Sequence, residues 1–65
     1  MWVEVKRAPN LMLAEMWKEF LEGEGIPARL LPDPEAPMPA GEATPYRIYV
    51  SQEKVHVVKE VMRKL

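Results

Sequence analysis

The chain has 65 residues, nine lysines and arginines against ten acidic side chains, one histidine, no cysteine and a formal charge of −1. That length allows one domain and one core, and the near-balance of charge excludes the strong electrostatic footprint of a nucleic-acid or anionic-membrane binder. Without cysteine there is no disulfide and no thiolate metal site, which leaves His56 and the carboxylates as the strong metal ligands.

A domain this small buries only about 60% of its unfolded surface. Disulfides, metals or oligomerisation usually supplement such a core, so self-association or unusually good packing is the expected remedy here. The opening MWVEVKRAPN lacks the apolar region of a secretory signal, and no apolar run approaches the ~20 residues that span a bilayer. A cytoplasmic location is expected, and the missing cysteine fits it. Asn10, Thr44, Ser51 and Gln52 are the sole residues of their types, against seven prolines and a charged fraction of 29%. Scarce uncharged polar residues with abundant charge and loop proline are a thermophile pattern, and predict high thermal stability.

Residues 2–8 (WVEVKRA) alternate, with Val3 and Val5 on one side and Trp2, Glu4 and Lys6 on the other. A period of two predicts a half-buried strand, which Pro9 stops. Asn10 is placed to cap a helix. From Leu11 the period changes: Leu13, Met16, Trp17, Phe20 and Leu21 form one apolar stripe at helical spacing, with Glu15, Lys18, Glu19 and Glu22 opposite. Gly25 is the expected left-handed residue after the helix, Ile26 its contact back to Leu21, and Pro27 the block to continuation.

Residues 26–31 (IPARLL) predict a second strand, with Ile26, Ala28 and Leu30 on one face and Arg29 and Leu31 on the other. Pro27 suggests that it starts at a sheet edge. Residues 32–45 hold five of the seven prolines and predict a long irregular connection, of the kind that is functional or disordered. Residues 46–50 (YRIYV) predict a third strand, Tyr46, Ile48 and Val50 opposing Arg47 and Tyr49. Ser51 is the expected cap of a final helix whose core stripe is Val55, Val58, Met62 and Leu65, flanked by Val61. Its wet side is His56, Lys59, Glu60 and Arg63. The valines lower its helix propensity, so it depends on tertiary packing.

A right-handed strand–helix–strand crossover makes the first two strands parallel, with a gap into which the third returns antiparallel. The expected fold is therefore α+β: a single domain over residues 1–65, a three-stranded antiparallel sheet in order 1-3-2, and two helices on one face. This is a ferredoxin-like unit truncated to βαββα, the chain ending before a last strand. It leaves the first strand with an unpaired edge and the sheet with one uncovered face.

Ala8-Pro9-Asn10 before the first helix, Leu21-Glu22, Gly25-Ile26-Pro27-Ala28, and Val50 leading into a Glu-containing helix resemble the prokaryotic signal-transducing protein family. These are short bacterial domains described as similar to the nitrogen-regulatory PII (GlnB-like) proteins. The likeness covers nearly the whole chain through a cap, a helix stop and a strand start, and implies a regulatory or binding role. Some members of that family append a zinc ribbon, for which this chain lacks the cysteines. PII-type trimers bind nucleotide and 2-oxoglutarate, but no glycine-rich phosphate loop or Lys-Arg cluster here carries that ligand set over.

Most individual features have a structural explanation. Asn10 reads as a cap rather than a ligand contact, and His56 as part of a solvated helix face with Glu60 one turn away. Glu22-Gly23-Glu24-Gly25 would repel phosphate and is placed to end a helix. Pro34-Glu35-Ala36-Pro37 reads as a stiff connector, and Met16, Trp17 and Phe20 as core rather than a cofactor box. No catalytic acid–base pair or activated nucleophile can be assigned, so no enzyme, cofactor or metal site is expected.

The uncovered sheet face, or the edge of the first strand, is the candidate site. Trp2, Leu31 and Tyr49 are expected there with Glu4, Lys6, Arg29 and Arg47. Tryptophan, tyrosine and arginine dominate protein interfaces, and near-neutral charge favours a protein partner or a second copy over single-stranded RNA, which the same residues would stack. A third expectation is a metabolite sensor whose loop 32–45 closes over its ligand.

Overall fold

A computed structural model describes residues 1–63. Strand β1 (Trp2–Ala8) leads into helix α1 (Leu11–Gly23), followed by β2 (Ala28–Pro32), β3 (Tyr46–Ser51), a 3-10 turn at Gln52–Lys54 and helix α2 (Val55–Met62). The sheet runs β1-β3-β2, with β3 antiparallel to both neighbours. The α+β topology expected of a ferredoxin-like βαββα unit is therefore the one observed. Val58 of α2 joins Ala14 and Leu21 of α1 in one core with Ile48 and Val50 of β3, which places both helices on the same side of the sheet.

Helix α1 begins and ends as its sequence dictates. Asn10 is extended (φ −154, ψ 170) and its side-chain oxygen accepts from the Leu13 amide at 2.9 Å, satisfying one orphan donor of the first turn. At the other end Gly25 adopts φ +84. Its amide donates to the Glu22 carbonyl at 3.0 Å and the Ile26 amide to Leu21 at 2.9 Å, the two bonds of a Schellman ending.

That ending also moves the start of β2. The Ile26 amide is engaged by the helix and Pro27 has no N–H, so pairing begins at Ala28 opposite Val50 and extends to Pro32 opposite Tyr46. The expected strand at 26–31 is displaced accordingly. Ser51 is corrected too: it makes no side-chain cap bond, pairs with Trp2, and its hydroxyl donates to Glu53 at 3.2 Å. The 3-10 turn intervenes before α2, so the first α-helical residue lies beyond the reach of Ser51. On α2, Val58 is buried and Val55, Val57, Val61 and Met62 pack against the core; Leu65 lies outside the described residues.

The connection from Asp33 to Pro45 contains no helix or strand, yet it is tied down. Asp33 donates to the Pro45 carbonyl at 2.9 Å, closing its base, and the Leu11 amide donates to Glu42 at 3.0 Å, fastening it to the start of α1. Within it, the Asp33 side chain accepts from the Glu35 amide and the Thr44 hydroxyl from the Gly41 amide.

Two expected positions move. β1 pairs Glu4 with Tyr49 and Lys6 with Ile48, so Val5 is an extra residue in a bulge. The bulge shifts the alternation by one. Lys6 turns to the helix side, its ammonium 4.5 Å from the centre of the Trp17 ring, and Ala8 becomes buried. Arg7 takes the open face instead, opposite Arg47. The second correction is the seat of α1. Ala14 and Leu21 are its fully buried residues, with Trp17 and Phe20 packed at their side, whereas Leu13 and Met16 are 37% and 57% exposed. The helix sits on the Ala14–Trp17–Leu21 row with Phe20 beside it, and Leu13 and Met16 roll outward.

Candidate functional site

With both helices on one side, no helix among the described residues lies on the other side of the sheet. Strand alternation and the bulge place Trp2, Glu4 and Arg7 of β1, Arg47 and Tyr49 of β3, and Arg29 and Leu31 of β2 there. All six expected site residues, Trp2, Glu4, Arg29, Leu31, Arg47 and Tyr49, thus share one face. Lys6 does not, for the reason given above.

Their arrangement has two parts. At one end the Arg29 guanidinium stacks 4.3 Å from the centre of the Trp2 ring. The two residues sit on opposite outer strands, so this cation–π contact spans β3. Arg29 and Tyr49 are direct neighbours in register, and Glu4 is Tyr49's neighbour on the other side. At the other end runs a chain of alternating charge: Arg7 Nε donates to Glu4 Oε2 at 2.8 Å, Glu4 Oε1 lies 3.5 Å from Arg47 Nη1, and Arg47 Nη2 lies 3.6 Å from Asp33 Oδ1. Hydrogen bonding and the charge of Glu4 raise the Arg7 pKa above an already high value, so Arg7 stays charged throughout the working pH range.

Arg47 is held loosely. Both of its carboxylate contacts exceed good hydrogen-bond length, and its Nε is buried with no partner among the described residues. Beside it Leu31 is 51% exposed, and at the far end Trp2 is 39% exposed. Sequence reasoning missed Arg7 and Asp33. Arg7 was hidden by the bulge. Asp33 follows β2 directly, and only the loop closure to Pro45 brings its carboxylate beside Arg47.

The strand edges are less inviting than the face. β1 combines a bulge at Val5 with an inward-pointing charge at Lys6, and β2 is five residues long, preceded by Pro27 and ended by Pro32. Bulges, inward charges, short strands and prolines are the devices by which natural sheets discourage edge-to-edge pairing.

Among the described residues no cluster of three His, Cys, Asp or Glu side chains is placed to hold a metal, and no helix is long and apolar enough to cross a membrane. Comparison with protein-family models, curated proteins and solved structures returns no match to this chain.

Proposed function

We propose that this chain is a small regulatory interaction domain that self-associates through its uncovered sheet face. The observation that carries the reading is the pair Trp2 and Leu31, exposed at opposite ends of a face that no helix covers. The resemblance to the signal-transducing family gives the interaction a regulatory sense.

Charge supports a second copy as the occupant. Arg7 and Arg47 alternate with Glu4 and Asp33, so the face offers both signs to its own image, which suits a self-complementary two-fold interface. A polyanion would meet two carboxylates here, and one face of the Trp2 ring already holds Arg29.

Size sets the strength. Three strands of about six residues, spaced ~4.8 Å apart and rising ~3.3 Å per residue, present a footprint of roughly 300 Å². Stable dimers bury about 800 Å² per partner, so this dimer is weak and forms at high concentration. Sedimentation equilibrium up to millimolar protein should show a monomer–dimer equilibrium, abolished by Leu31→Asp and by Trp2→Ala. A wild-type chain that stays monomeric over the whole range overturns the proposal, as does a dimer indifferent to both substitutions.

A further inference from the structure

The second apolar surface lies on the opposite side of the molecule, where α1 turns Leu13 and Met16 outward. Leu13, Met16, Trp17 and Phe20 line an open groove of about 310 Å³. Trp17 and Phe20 form its rigid part, packed edge to face with centroids 6.1 Å apart, and Lys6 fixes the indole from β1. Leu13 is shared with a neighbouring hollow at the start of α1 whose lining includes Met12, Glu15 and Glu42. Met12 is 73% exposed. The result is a trough along α1 with two aromatic anchors at one end and two flexible methionines beside it.

Its charge is one-sided. Glu15 and Glu42 line the hollow that shares Leu13 with the groove, and the exposed Glu19 follows Glu15 one turn along α1. Lys6, the cation that touches a groove residue, is engaged by the Trp17 ring.

We propose that this trough docks a basic amphipathic helix of a partner protein. Apolar side chains at i, i+3, i+4 and i+7 on α1 match the spacing by which one helix beds into a groove. Exposed methionines adapt to varied apolar partners, and the glutamates select lysine and arginine flanks. A second α1 is disfavoured, because two such helices would bring their glutamates together. An anionic lipid surface is repelled by the same charges. This inference is independent of the sheet-face dimer, which uses the other side of the molecule.

The test uses the full chain with Trp2→Phe, so that Trp17 is the only tryptophan, titrated with a Leu/Lys amphipathic helix of about 14 residues. A Leu/Glu helix of the same pattern serves as control. Trp17 emission should report binding of the Leu/Lys peptide at least about tenfold tighter than the control, weakening as salt rises. Met16→Lys should lower that affinity about tenfold, and Glu15→Lys with Glu19→Lys should erase or reverse the preference; all three positions are exposed, so the variants keep the fold, checked by circular dichroism. Equal affinity for both peptides overturns the proposal. So does no binding by the folded chain, binding unaffected by these variants, or binding to anionic vesicles in preference to the peptide.

Discussion

Gly23 and Gly25 stand two residues apart, and the structure predicts opposite consequences of giving each a methyl group. At both positions a Cβ would meet no atom within 4 Å, so packing contributes nothing and only backbone conformation decides. Gly25 has φ +84 and holds the two bonds that close the helix. For alanine that conformation costs about 1–2 kcal/mol, offset in part by about 0.4–1 kcal/mol from a stiffer unfolded chain. The net effect of Gly25→Ala is a loss of about 1 kcal/mol, hence a melting temperature lower by about 4–8 °C for a domain of this size. Gly23 is the last residue of α1 with no positive φ, and Gly23→Ala should stabilise by about 0.5–1 kcal/mol. Gly25→Asn should fall between wild type and Gly25→Ala, since asparagine tolerates the left-handed region better. Thermal and urea melts of the three variants measure this directly. If Gly25→Ala is neutral or stabilising, the helix does not end as described and the start of β2 is misplaced with it.

The cap at the other end of α1 gives a paired contrast: Asn10→Ala should cost about 1 kcal/mol, whereas Ser51→Ala, at a position with no cap bond, should stay within about 0.5 kcal/mol of wild type. Leu21→Ala removes a fully buried side chain from the centre of the core and should cost about 2–5 kcal/mol, enough to unfold much of the population in a urea titration. From the composition, calorimetry should find a melting temperature above the ~45–65 °C typical of mesophile domains; a value within that range removes the thermophile reading.

The strand order, the limits of α1 and the six-residue face were legible because each rests on a local signal: alternation in 46–50, the Asn10 cap, the Gly25-Ile26-Pro27 stop. What escaped depends on events without a local signature. A bulge needs only one unpaired residue, and nothing in WVEVKRA marks Val5 rather than another. Once it is there, Lys6 and Arg7 exchange faces. The 3-10 turn after Ser51 was hidden because a serine before a charged segment has the same composition whether or not its hydroxyl reaches a helical amide.

The seat of α1 is the instructive case, since two stripes competed and the sequence contained both. Leu13 and Met16 belong to the more hydrophobic row, and by apolar area alone they belong inside. Ala14–Trp17–Leu21 won because the sheet beneath it carries Ala8 and Ala28. Small residues on both sides let helix and sheet approach closely, and dispersion rewards close contact over bulk. The same choice makes the core thin and leaves large apolar side chains in water. Small buried residues and an exposed Leu–Met row are therefore one feature of the fold, and substituting Ala14 by a larger residue would lift the helix and disturb the trough along with the core.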